Sequence, residues 1–448
     1  MTALAAGYLL RAACFGGLIV VTAHALGPRG YGELNLFVAG ATGIAYLGGS
    51  WAFMAIPILF HRGVALRPVT FAAARMSAAS TGLSLIAAIP IVVLTVGVEQ
   101  LPLFVLYVIA LVAVQGGSAV LQASERMDAI AYAQVGERAL ALAVTVAVIS
   151  FADALTPAGA ESIWVGAAVV AAASVLLPSV PTLYQAPRHH DGAVPARRVW
   201  GVVSAVLAIN IAAYVVGWVD LLVLALLRDS GVVGVYSLAY QAYTFVIQLV
   251  ALWIVAALPG AVKAAHQVDD FRPIDNAMLV VATRLWATGM AIVAAAGMLV
   301  LPLVGAGYGA ARGPMALLFA GGVLIVVQHS VTTLMLAYGQ QRDLARTLLC
   351  AAASNVVIGF ALTPFVGIWG PAVATSVTAI AVGLVFLRSG VDRALQGFAL
   401  KAAGPGMTAC ILLACLSGSD PAIIVVGLTA LGAMLPAARR LLAARKRV

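Results

Sequence analysis

Charge is what this chain has least of. Asp, Glu, Lys and Arg make up 9% of the 448 residues, hydrophobic residues 63%, and mean hydropathy is +1.07. Soluble domains carry about 25% charge on about 45–50% apolar residues, so no water-exposed domain of any size fits here. Cysteine is nearly as scarce. Cys14, Cys350, Cys410 and Cys415 lie scattered in apolar runs, with no Cys-x-x-Cys and no His/Cys grouping. That pattern excludes a disulfide framework and a thiolate metal site. No Gly-x-x-x-x-Gly-Lys-Ser/Thr loop occurs, so ATP is not expected as the direct energy source. Acids on the short connections are isolated: Glu99, Asp153, Glu161 and Asp420. A membrane glycosyltransferase or ligase would need a carboxylate pair on such a loop, and no enzyme is expected.

What the chain has in abundance is apolar length. Runs of about 20 residues, enough to cross a hydrocarbon layer of about 30 Å as helix, follow one another with short interruptions. They are too long and too unalternating for barrel strands. The expected fold is an all-α polytopic membrane protein with about fourteen spans, at 4–25, 34–59, 76–98, 101–122, 134–152, 162–183, 200–226, 232–256, 278–302, 314–337, 346–365, 368–388, 402–417 and 421–437. The 44 glycines suit close approach of membrane helices.

The cations then fix an orientation. With a cytoplasmic N-terminus, 22 of the 25 Lys and Arg fall on the cytoplasmic side, leaving Arg29, Arg228 and Arg312 outside. This is the positive-inside bias, so both termini are expected in the cytoplasm of a plasma-membrane protein. The net charge of +9 follows from that topology and the anionic inner leaflet, and no nucleic-acid partner is needed.

Weak internal repetition divides the chain. Gly32 aligns with Gly234, Arg75 with Arg284 and Arg126 with Arg342, at offsets of 202, 209 and 216. The order of these matches predicts two pseudo-symmetric six-helix lobes, 1–184 and 199–388. A cytoplasmic linker at 185–198 joins them, and 389–448 adds two helices and a basic tail.

Several stretches carry a family resemblance. LGPRGYG after the first span, LQASERMDAIAYAQVGERALAL over spans four and five, WVDLLVLALLRDSGVVGVYSLAY over spans seven and eight, and the run from GYGAARGPM to GPAVATS over the following spans resemble the polysaccharide-biosynthesis (oligosaccharide) flippases. These belong to the multidrug/oligosaccharidyl-lipid/polysaccharide exporter superfamily. The resemblance covers about residues 5–388. It implies two lobes in a V around a cavity open alternately to each side, moving polyprenyl-diphosphate-linked sugars outward. It also implies membrane lipids around the chain and a polysaccharide polymerase or glycosyltransferases in the same pathway. No organic cofactor is expected; coupling to H+, to Na+ or to the substrate gradient stays open. The alternative within the superfamily is a multidrug and toxin extruder, which would favour acidic cavity residues.

The polar residues inside the spans supply the candidates. A charge at the bilayer centre costs about 2.5–3.5 kcal/mol on insertion scales, so each needs a partner, a hydrated path or a nearby interface. Arg11, Arg75 and Arg284 could present bidentate forks to a diphosphate or snorkel to the surface. Asp220 could face the path near its outer mouth, bind a proton, or cap beside Trp218. Gln248 and Asn355 could bond sugars or cross-link helices. Glu125, Arg126, Glu137 and Arg138 in the first half, with Arg342 and Arg346 in the second, are candidates for a cytoplasmic gate.

Overall fold

The computed structural model describes residues 2–61, 64–95, 97–152, 154–185, 196–265, 276–390 and 393–431. Among them no strand occurs, and ten helical stretches are long and apolar enough to cross a membrane. The first of these, Leu10–His61, runs 52 residues, about twice one crossing. It comprises α1 (Thr2–Ala45), a π-helical turn at Tyr46–Ser50 and α2 (Ala52–His61). Within α1 the chain reverses at Gly27, whose φ of 65° and ψ of 176° are cheap only without a Cβ, and Pro28 starts the next helix. The expected span 34–59 is therefore present but interrupted at Tyr46–Ser50.

The rest of the first lobe is α3 (Leu66–Thr95), α4 (Leu101–Ala123), α5 (Met127–Ala152) and α6 (Pro157–Gln185). The second lobe has α7 (Ala196–Leu227), α8 (Ser230–Ala265), α9 (Asn276–Val304), α10 (Arg312–Gly321), α11 (Ile325–Ala337), α12 (Gln341–Val366) and α13 (Trp369–Gly390). Helices α10 and α11 are one expected span, broken by a 3-10 turn at Gly322–Leu324. Then come α14 (Arg393–Cys415) and α15 (Asp420–Leu431). Ten residues of the expected linker, 186–195, lie outside the described residues.

Matching backbone devices recur in the two lobes. Gly97 precedes a 3-10 turn and α4, as Gly305 precedes a 3-10 turn and α10. Glu125 (φ 59°) and Gly339 (φ 79°) hold left-handed turns after α4 and α11. In both, an amide reaches back five residues: Arg126 to the Leu121 carbonyl at 2.8 Å, and Gln340 to the Met335 carbonyl at 2.7 Å.

The last two helices are part of the second lobe's packing. A Cβ on Gly406 of α14 would strike the Ala287 carbonyl of α9, and Cys410, Leu413 and Ile423 are fully buried. Arg312 of α10 pairs with Asp420 of α15 at 2.8 Å and donates to the Met298 carbonyl at 2.9 Å.

Candidate functional site

Two surfaces meet along α1 on one side and α7 and α8 on the other. At the face carrying Gly27 and Asp229 the backbones nearly touch. A Cβ on Gly32 would collide with the Ser230 carbonyl, and one on Gly234 with the Pro28 carbonyl. Side chains fasten the same end: His24 Nδ1 lies 2.7 Å from the Val304 carbonyl, and the Tyr308 hydroxyl donates to the Ala23 carbonyl at 3.0 Å. Deeper in, Gln241 Nε2 donates to Asn35 Oδ1 at 3.0 Å, and the Tyr214 hydroxyl donates to the Ala39 carbonyl at 3.1 Å. Phe15 and Phe245 meet with ring centroids 6.3 Å apart. The lobes are thus closed against each other at this face.

Asp220 does not lie at a solvated mouth. It is 1% exposed, inside the second lobe among α7, α8, α12 and α13. The Tyr236 hydroxyl donates to its Oδ2 at 2.8 Å, and the Thr375 hydroxyl donates to the same oxygen. Asn355 Nδ2 donates to Thr375 Oγ1 at 3.1 Å, and Asn355 Oδ1 is buried without a partner among the described residues. Desolvating a carboxylate this far is expensive unless hydrogen bonds or a cation compensate. The cluster offers two carboxylate oxygens, a carboxamide oxygen and two hydroxyls, which are hard donors suited to H+ or a small alkali cation. Sequence reasoning found Asp220 and Asn355 separately. It missed Tyr236 and Thr375, although Tyr236, Tyr240 and Tyr243 recur at helical spacing and their rings follow one another at 5.9 and 6.0 Å.

Arg138 belongs to a different environment from the other gate candidates. It lies midway along α5 with its guanidinium 4.7 Å from the Phe15 ring and 5.0 Å from the Trp164 ring. Glu137 pairs with it at 3.3 Å, and both are mostly buried. Cation–π contacts of this desolvated kind are worth about 2 kcal/mol. Glu161 lies in the same lobe at 4% exposure. Glu125 and Arg126, by contrast, are exposed on the α4–α5 turn, where Arg126 Nη1 donates to Thr182 Oγ1 at 3.1 Å. On α12, Arg342 and Arg346 are exposed; Arg346 sits 3.4 Å from Asp343, and Arg342 lies near Gly201 of α7. The six gate candidates are therefore divided between the α4–α5 turn, the first turns of α12 and the interior of one lobe.

The arginine candidates also scatter. Arg75 and Arg284 are exposed on α3 and α9, and Arg11 is half-buried on α1. The side chain of Gln248 lies outside the described residues.

Known structures share this arrangement. A lipid II flippase MurJ in an inward closed conformation superposes with a TM-score of 0.67 at 11% identity, over 96% of this chain and 97% of that one. A mutant of the Vibrio cholerae MATE transporter VcmN gives 0.61 at 12% identity over 90% and 98%. The MATE multidrug transporter DinF-BH, in a ligand complex, gives 0.57 at 14% identity over 86% and 93%. The fold is shared with MurJ and the MATE transporters. No protein-family model matches the sequence, and no curated protein does. Each of these three structures is of a transporter or flippase; in this chain, the ten long apolar helices among the described residues are those of a multi-pass membrane protein.

Proposed function

We propose that this chain is a transporter of the multidrug/oligosaccharidyl-lipid/polysaccharide exporter superfamily. It flips a polyprenyl-diphosphate-linked oligosaccharide across the plasma membrane for polysaccharide or cell-envelope assembly. The observation that carries the reading is the seam between the lobes. It is closed at one face by glycine-to-backbone contact and a few hydrogen bonds, each worth about 0.6–1.7 kcal/mol in membranes. Contacts of that strength can be exchanged for a matching set at the other face, which is what alternating access requires.

The closed face is then the outer one, and both termini are cytoplasmic. The three cations assigned outside suit this orientation because each is locally compensated. Arg29 pairs with Glu33 at 3.5 Å, Arg312 with Asp420, and Arg228 donates to the Thr363 and Pro364 carbonyls at the end of α12. Arg11 and Arg284 would meet the diphosphate from the cytoplasmic side. The Asp220–Thr375–Asn355 cluster would take the coupling ion, H+ or Na+, between the helices of the second lobe. A polymerase or glycosyltransferases of the same pathway would consume the flipped product.

Drug extrusion is the second reading, favoured by the buried carboxylates Asp220 and Glu161. Proteoliposomes separate the two. Movement of a fluorescent polyprenyl-diphosphate oligosaccharide, lost in Arg11→Ala or Arg284→Ala with insertion intact, supports the flippase. No movement of the lipid together with gradient-driven export of an organic cation transfers the assignment to drug extrusion.

A further inference from the structure

A groove of about 570 Å³ lies on the flank of the first lobe between α2, α3, α4 and α6. Small side chains make it: Ala73, Ala78 and Gly82 of α3 face Gly116 and Gly117 of α4, with Ser179 of α6 beside them. None of its lining residues belongs to α1, α7 or α8; toward the seam it is walled by Ala52 and Ile56 of α2, which packs on α7 and α8, and the rest of its wall is α3, α4 and α6. Its volume falls in the range of small-molecule sites, about 300–1,000 Å³. Thr70 and Thr81, the latter 6% exposed, line it; their hydroxyls have no partner among the described residues, and that of Thr81 packs against Gly48.

One end of the groove is basic. Leu183 in the last turn of α6 lines the groove, and the residues on either side of it each hold an arginine from another element. Arg126 reaches Thr182 from the α4–α5 turn at 3.1 Å, and the guanidinium of Arg67 on α3 lies 5.0 Å from the Tyr184 ring. A second ring, Phe71, lies 5.9 Å from it. Stacking engages the face of a guanidinium and leaves its in-plane N–H groups free for a phosphate. Both arginines are exposed.

We infer that this groove seats one anionic phospholipid, with an acyl chain between α3 and α6 and its phosphate on Arg67 and Arg126. An apolar slot opening at a paired cationic rim matches that amphiphile in both parts. Because the slot lies off the seam, its lipid is a resident of the lobe and is not the cargo.

Native mass spectrometry of the delipidated full-length protein tests this, with phosphatidylglycerol titrated against phosphatidylcholine. Wild type should retain one phosphatidylglycerol and bind phosphatidylcholine about tenfold more weakly. Arg67→Gln/Arg126→Gln should lose about tenfold in phosphatidylglycerol affinity and become indifferent to headgroup. Gly116→Leu should block both lipids; a Cβ there meets nothing within 4 Å, so the side chain enters open space without displacing backbone. Phosphatidylglycerol binding unchanged in both variants overturns the inference. So does displacement of phosphatidylglycerol from wild type by an equimolar polyprenyl diphosphate, which would give the groove to the cargo's tail. Lipid occupancy is read without transport, so failure here leaves the flippase assignment where it stands.

Discussion

Gln241 of α8 donates to Asn35 of α1 at 3.0 Å across the seam, and Asn35 is itself held by its Nδ2 bond to the Tyr31 carbonyl at 2.8 Å. Both residues are buried, so losing Gln241 leaves Asn35 Oδ1 without its donor and losing Asn35 leaves Gln241 Nε2 without its acceptor. Asn35→Ala and Gln241→Ala should each favour the outer-open state, with a coupling energy of about 0.6–1.7 kcal/mol in a double-mutant cycle. Spin labels at the exposed positions Glu33 and Asp229 read the distance distribution. Two additive single effects would show that the bond does not hold the seam.

The glycine pair makes a steeper prediction. Gly32→Val or Gly234→Val places atoms where the opposite backbone already lies, and neither Ser230 nor Pro28 can yield a carbonyl as a flexible side chain could. Each variant should insert normally, show the outer labels wholly separated, and lose transport. Retained closure with wild-type rates would mean that α1 and α8 can part slightly at no cost.

Asp220 accepts both of its hydrogen bonds on one oxygen. Asp220→Asn can keep that oxygen as acceptor while it removes the charge and puts an NH2 in place of the other oxygen, so thermal stability should fall by about 1–3 kcal/mol. Transport should lose its response to a Na+ or proton gradient and fall about tenfold or more. Asp220→Leu leaves the Tyr236 and Thr375 hydroxyl protons buried without their acceptor, although Thr375 Oγ1 still accepts from Asn355, and should cost about 1–3 kcal/mol for each. Gradient-dependent transport surviving in Asp220→Asn would remove the residue from coupling.

For Arg138, the expected signature is compensation. Arg138→Met removes both ring contacts and strands Glu137, a loss of about 3–5 kcal/mol for a broken buried pair. Glu137→Gln/Arg138→Met removes both charges and should regain most of it. Chemical unfolding in detergent measures the series; a double variant as unstable as the single would place the stability in Arg138's ring contacts alone.

Much of the fold was readable because hydropathy along a membrane chain records length directly. The apolar spans and the short connections between them follow from apolar runs and punctuation. The interruptions at Tyr46–Ser50 and Gly322–Leu324 were not readable, since a π or 3-10 turn inside an apolar run leaves hydropathy unchanged. Among the candidate residues, Asp220 and Asn355 stood out as polar groups in apolar helices. Their meeting through Thr375 depends on helix rotation and crossing, which hydropathy does not encode. Arg138 was placed beside the loop between spans four and five because the fifth span was expected to begin at 134; α5 begins at Met127, which carries Arg138 inward to the Phe15 and Trp164 rings.

The reversal at Gly27 has a mechanical consequence. Helix resumes at once on both sides of this residue, so the first two spans are joined with no slack. In the proposed transport cycle, a tilt of the first span is delivered to the second through a single residue. In that cycle the two spans are the arms of a bell crank that pivots on Gly27. Several flexible residues inserted after Gly27 would let one arm turn without the other, and the lobes would lose their common stroke while every side chain along the seam remained in place.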